Sequence, residues 1–219
     1  SVRHRGYNYM SLFPRPHWTV FATKRLKRIH YDTSIPFNTT GEMVPTFLAH
    51  PFFGSMGFTL VKAEAWMMVT RDFVAECVQG PLARRMLANL SFLLSSPEHF
   101  FISVLLNHKK FEHTLVPNSF RTVFWYFNRH ASGQHPFDAD FEKQGRYLFY
   151  SKLVETPGFF ARKFKVPGSP MMRKIDRDVS GIAVDRVNST RVREFHSKTM
   201  RAFLDATASV ANGTHVKIN

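Results

Sequence analysis

A single cysteine, Cys77, stands among the 219 residues, so the chain cannot close an internal disulfide and its cysteine usage assigns no redox compartment. Lying in the apolar run Phe73 to Val78, that thiol reads as buried filler. No apolar stretch approaches the roughly eighteen residues a transmembrane helix needs, and no basic, apolar and small-residue signal segment opens the chain. The Gly-x-Gly-x-x-Gly run of dinucleotide-binding turns is missing. Among the 11 histidines no H-E-x-x-H spacing occurs, nor any C-x-x-C, so the sequence supports no zinc site. There is no internal repeat, which removes solenoids and propellers. Acidic residues are scarce: 16 Asp and Glu face 30 Lys and Arg, giving a net charge of +14 and a pI near 10.3. Such a chain is attracted to polyanions. Nucleic acid, a membrane surface, an acidic glycan and a diphosphate all qualify.

What is present is enough to fold. Hydrophobic residues make up 44% of the chain and Phe alone accounts for 23 positions, enough for one sizeable core and a single domain by default. The run His17 to Thr23 alternates as a strand does and is followed by the basic cluster Lys24 to Arg28. Pro36, Gly41, Pro45, Pro51, Gly54 and Gly57 punctuate Thr33 to Gly57 into loop. From Thr59 to Val69 a strand is expected, with Thr70 or Asp72 starting the helix Phe73 to Gln79 and Gly80-Pro81 ending it. Leucines and Met86 recur at helical spacing over Leu82 to Leu94, and after Ser95-Ser96-Pro97 a second helix is expected over Glu98 to Asn107. Ser119 to Phe127 and Arg146 to Tyr150 read as strands, and Val187 to Val210 as an amphipathic terminal helix. The class is mixed α/β.

Three clusters carry chemistry. In Ser95-Ser96-Pro97-Glu98-His99 a carboxylate sits in the first turn of a helix. Ser95 and Glu98 have capping-box spacing, and a Glu at that place is favoured by the helix dipole in any case. A carboxylate so fixed can equally take the proton of a sugar hydroxyl attacking an anomeric carbon. A diphosphate leaving group needs little protonation, so no second, acidic carboxyl is required. Phe159-Phe160-Ala161-Arg162-Lys163-Phe164 sets two cations between aromatics, either as an exposed basic loop pinned by Phe or as a phosphate clamp. Asp138-Ala139-Asp140 has the D-x-D form of metal-binding transferases, but after Pro136 it reads as loop carboxylates or as a helix start for Phe141 to Gly145. Sequons stand at Asn38, Asn89, Asn188 and Asn212, candidate glycosylation sites if the chain enters the secretory lumen.

The ordered blocks Ala63 to Val74 (AEAWMMVTRDFV), Leu94 to Asn107 (LSSPEHFFISVLLN), Phe120 to Trp125 (FRTVFW), Gln134 to Pro136 (QHP) and FFARKF with Lys174 to Asp176 (KID) resemble family 14 glycosyltransferases. That family holds the core-2/I-branching N-acetylglucosaminyltransferases, peptide O-xylosyltransferases and plant glucuronosyltransferases. The resemblance runs from about Lys24 to about Asp178. It implies a GT-A-like mixed sheet with flanking helices, present as a partial domain: residues 1–180 the C-terminal portion of a catalytic domain, and 181–219 a helical tail. It implies an inverting transfer of N-acetylglucosamine, xylose or glucuronic acid from a UDP donor to a hydroxyl of a glycan or glycoprotein. Glu98 matches the general base, Lys163 the lysine on the UDP diphosphate, and Arg121, with Arg162, further diphosphate contacts. Trp66 and Trp125 match aromatic positions near the substrates. Ala63 and Glu64 stand where the family usually has Gly and Ser, which implies an altered acceptor or a weakened site.

No cofactor and no metal are implied by the resemblance, since cations take the metal's place at the diphosphate. It further implies a type II protein of the Golgi lumen, with a membrane anchor and a Rossmann-like half upstream of Ser1. Two other readings compete. A basic nucleic-acid-binding module would explain cations interleaved with aromatics, although no zinc-finger or RNP-type block accompanies them. A catalytically inactive relative would keep the fold and lose the chemistry.

Overall fold

In a computed structural model of the chain, the structure describes residues 6–13, 28–33, 43–48, 58–93, 95–125, 136–143, 145–180 and 189–213. Two compact units result, one of residues 1–119 with 209–219 and one of 120–208, where length alone suggested one domain. The expected strand His17 to Thr23 and most of the basic cluster after it lie outside the described residues.

The first unit carries β1 (Asn8–Leu12), β2 (His30–Asp32), β3 (Met43–Pro45) and β4 (Ala63–Met68), then α1 (Arg71–Gln79), α2 (Pro81–Leu90), α3 (Pro97–Asn107) and the short β5 (Leu115–Val116). β1 is central in a three-stranded sheet, antiparallel to β4 and parallel to β5. β2 and β3 form a separate antiparallel ribbon, so Met43–Pro45 is a strand inside the stretch read as loop. Pairing with His30–Asp32, which sequence periodicity does not reveal, supplies its hydrogen bonds.

Thr70 caps α1, its hydroxyl accepting the Phe73 N–H at 3.2 Å. The fully buried Asn8 amide oxygen accepts the Thr70 N–H at 2.8 Å while its NH₂ donates to Thr114 at 2.8 Å, so one side chain ties β1 to the start of α1 and the approach to β5. Gly80 ends α1 and Pro81 opens α2, as the sequence predicts. A methyl at Gly80 would stand 2.6 Å from the Glu76 carbonyl oxygen. The core beneath is Met10, Val61, Phe73, Met86, Leu90, Ile102, Val104 and Leu105, each at most 1% exposed. Cys77 only packs at its margin, half-buried, and burial with the neighbouring Glu76 charge pushes its thiol up to about 12.

The second unit contains β6 (Arg121–Val123), β7 (Glu142–Lys143), β8 (Arg146–Tyr147), α4 (Tyr150–Glu155), β9 (Phe160–Arg162), α5 (Pro170–Ile175) and α6 (Ser189–Ala211), the last continuing into residues of the first unit. Both expected strands here are shorter than their apolar runs. Tyr150 begins a helix, and Glu142–Lys143 pairs with Arg146–Tyr147 where a helix start was one alternative. Phe124 stacks on Phe149 with ring centroids 4.3 Å apart, over Ala139, Leu153 and Met171. A second aromatic group joins Phe120, Phe159 and Phe203 at 5.4–5.6 Å. A buried carboxylate, Asp178, accepts from Tyr150, from Lys174 at 3.0 Å and from Arg177 at 3.0 Å. The mixed α/β class expected from the sequence is the class observed.

Candidate active site

In the first unit the site is organised by one face of α3. His99, Ser103 and Asn107 recur at four-residue spacing and so lie one above another. All three bond the extended backbone just before β4. Asn107 accepts the Thr59 N–H and donates to the Thr59 carbonyl, both at 2.7 Å. The Ser103 hydroxyl accepts the Val61 N–H at 2.9 Å, and His99 Nδ1 lies 3.0 Å from the Val61 carbonyl oxygen. Backbone that would otherwise need a strand partner is thus satisfied by a helix up to Val61, and the bonds to the β1 side begin at the Lys62 carbonyl, which accepts the Phe13 N–H at 3.3 Å.

This clamp delivers Lys62 to Glu98. The Lys62 ammonium lies 3.2 Å from Glu98 Oε2, its side chain 7% exposed against 33% for the carboxylate, and 5.0 Å from the Phe13 ring centre. Glu98 therefore belongs to an ion pair with one buried partner and a face open to solvent. The capping-box alternative is not what forms: the N-cap is Ser96, in helical conformation and without a side-chain cap bond, and Ser95 at φ 59° turns the chain so that its carbonyl takes the Glu98 N–H at 3.0 Å. His99 is buried against Val61.

Trp66 lies on β4, an edge strand, and is 53% exposed, so core packing does not account for it. Ala63 sends its methyl into the core at 2% exposure. Glu64 beside it is half-buried.

In the second unit the parallel pairing of β6 with β9 unites residues some forty positions apart. The register sets Arg121 beside Phe160, Thr122 beside Ala161 and Val123 beside Arg162. Strand alternation then puts Arg121 and Arg162 on one face of the ribbon, and Lys163 follows at its end. The approach is closed by Gly158, where a methyl would lie 3.0 Å from the Phe120 carbonyl oxygen, the acceptor of the Phe159 N–H at 2.9 Å. Lys163 pairs with Asp138 at 3.6 Å, and Asp140 accepts the N–H groups of Lys165 and Val166 at 3.1 and 3.2 Å. The D-x-D carboxylates are thus committed to the chain around Lys163. No group of three or more His, Cys, Asp or Glu side chains suited to a metal ion occurs among the described residues.

Trp125 follows β6, half-buried, beside the buried Phe124. Next to the ribbon a cavity of about 380 Å³ is lined by Thr122, Phe160, Ala161, Phe164 and Thr199, and Lys163 is not in its wall. Of the sequons, Asn89 lies in α2 with its amide donating to the Arg85 carbonyl at 2.8 Å, Asn212 is exposed in the turn after α6, and Asn38 and Asn188 lie outside the described residues.

Lys62 and Asp138 are the partners that the structure gives to Glu98 and Lys163 and that motif reading did not assign. Lys62 does carry a signal, being a lone cation in the apolar run Thr59 to Val69. No helix among the described residues is long and apolar enough to cross a membrane.

Comparison with known proteins gives one family and two relatives. Residues 3–149 match the Core-2/I-Branching enzyme family. The chain is 33% identical to beta-glucuronosyltransferase GlcAT14A of Arabidopsis thaliana over 124 residues, which is 56% of this chain and 26% of that protein. It is 31% identical to beta-glucuronosyltransferase GlcAT14B of the same plant over the same extent. The chain thus spans about a quarter of the length of the curated relatives it matches.

Proposed function

This chain belongs to the Core-2/I-Branching enzyme family of glycosyltransferases, and from that premise we propose that it supplies the base and the diphosphate contacts of an inverting, UDP-sugar-dependent transferase. The observation that carries the reading is the placement of Glu98: a carboxylate in the first turn of α3, paired with a buried ammonium and one-third exposed to solvent. A group so oriented accepts the proton of an acceptor hydroxyl as its oxygen attacks the anomeric carbon. The new C–O bond forms on one face of the sugar while the bond to the diphosphate breaks on the other. UDP leaves with the bonding electron pair, and the configuration inverts.

Arg121, Arg162 and Lys163 are the cations proposed for the departing diphosphate. In this reading they take the place of a metal ion at the diphosphate, carried on or just after the two strands that pair as β6 and β9. Trp66 and Trp125 are proposed as aromatic surfaces for the substrates. The names of the two relatives make glucuronic acid the donor sugar to test first, ahead of N-acetylglucosamine and xylose. The acceptor is a hydroxyl of a glycan or glycoprotein, and the setting is the Golgi lumen with the intact protein anchored in the membrane.

The test uses the whole protein that contains this chain. Transfer from UDP-glucuronate, UDP-N-acetylglucosamine and UDP-xylose is measured with and without EDTA, and Glu98→Gln is expected to lower turnover by about 10²–10⁴-fold with folding intact. Turnover by Glu98→Gln equal to wild type removes Glu98 as the base. Loss of activity in EDTA removes the metal-free account of the diphosphate.

A further inference from the structure

The Asp138-Ala139-Asp140 segment grips the chain around Lys163 at three points. Asp140 spreads its two oxygens over consecutive backbone donors, Lys165 N–H at 3.1 Å and Val166 N–H at 3.2 Å. The Ala139 N–H donates to the Lys163 carbonyl, and Ala139 itself is fully buried, which fixes the centre of the grip. At the third point Asp138 Oδ1 lies 3.6 Å from Lys163 Nζ. The first two contacts are to backbone and shape the turn. The third is different in kind, because it occupies the ammonium.

That ion pair is loose and reachable, with Lys163 45% and Asp138 28% exposed. An exposed pair of this length is weak. A diphosphate carries more charge and more acceptor oxygens than one carboxylate, so it can take the ammonium from Asp138, whereas a singly charged anion gains little by the exchange.

We infer that Asp138 is the resident counter-anion of Lys163, displaced when a diphosphate binds, while Asp140 holds the turn in the shape that makes the exchange possible; this rests on the reading of Lys163 as a diphosphate contact. Asp138 thereby holds down the affinity of the empty site and favours diphosphate over weaker anions. A carboxylate that were only structural would make binding worse when neutralised. A counter-anion makes it better.

Calorimetric titration of the whole protein that contains this chain with inorganic pyrophosphate separates these cases. Asp138→Asn is expected to bind about two- to fivefold tighter than wild type, as loss of an exposed competing pair allows. Glu142→Gln, which removes an exposed carboxylate of the same unit and changes net charge equally, is expected to match wild type. Asp140→Asn is expected to bind more weakly, and Lys163→Ala to lose the site. Circular dichroism confirms that each variant is folded, and Asp138→Ser replaces Asp138→Asn if that one is not. Asp138→Asn equal to wild type, weaker than it, or no tighter than Glu142→Gln overturns the inference and leaves Lys163 its role. Absence of pyrophosphate binding in wild type, or binding untouched by Lys163→Ala, overturns the reading of Lys163, and the inference with it.

Discussion

Asp178 shows how much one side chain can carry. Burial raises the cost of its charge, yet the Tyr150 hydroxyl and the Lys174 and Arg177 cations outweigh that cost and hold its carboxyl well below the usual carboxylate range. A depressed folded-state value means stability that is fully present above the unfolded carboxylate range, near pH 4, and is lost as pH falls through the folded value. Asp178→Asn is therefore expected to cost about 1.5–3 kcal/mol at pH 7, the span for hydrogen bonds to a charged group. Urea titrations at pH 7 and at pH 2 check it: the gap between wild type and variant narrows towards the acid end. An unchanged gap would mean the carboxylate is not the source. Lys174, Arg177 and Asp178 are near one another in sequence, but only the fold brings in Tyr150 from 28 positions away. Asp138 makes the same point, since a carboxylate in a polar stretch after Pro136 reads as solvated until its partner across the turn is seen.

Helices and strands were not equally legible. The helices announce themselves: Thr70 as cap, Gly80-Pro81 as a stop and a start, and Pro97 at the first turn of α3 are all local chemistry, and the structure puts the ends within two residues of the expected ones at α1 and α3. The helical spacing over Leu82 to Leu94 overruns the observed end, because leucines continue past Leu90, where α2 stops with Ser91 as its C-cap. Strands here are two to six residues, and most owe their extent to partners distant in sequence. Thr59 to Val61, inside the stretch expected as strand, is not part of one, and α3 takes its hydrogen bonds. The cation ribbon has a tight approach at Gly158. Gly158→Ala would press a methyl to 3.0 Å from the Phe120 carbonyl and 3.2 Å from the Thr122 hydroxyl at the start of the β6–β9 pairing. It is expected to cost about 1–3 kcal/mol. Denaturation midpoints measure the loss, and pyrophosphate affinity should fall in parallel where Arg121, Arg162 and Lys163 share that scaffold.

At the scale of the molecule, a net charge of +14 means that any polyanion will bind to some degree, so binding alone identifies nothing. The discriminating quantity is how that binding divides between the whole field and one residue. Retention of a single-stranded oligonucleotide should fall steeply as salt rises from 50 to 200 mM, in proportion to the phosphates neutralised. Lys163→Ala removes one of 30 cations and should barely move it. Affinity for UDP should behave the other way, with a shallow salt slope because few charges are involved and a large loss in Lys163→Ala because that ammonium is a specific contact. Oligonucleotide binding that resists salt, or that collapses with Lys163→Ala, would point to a dedicated nucleic-acid surface. A division along the expected line assigns the excess positive charge to a general attraction for anions, and assigns recognition to the few cations that the β6–β9 pairing brings together.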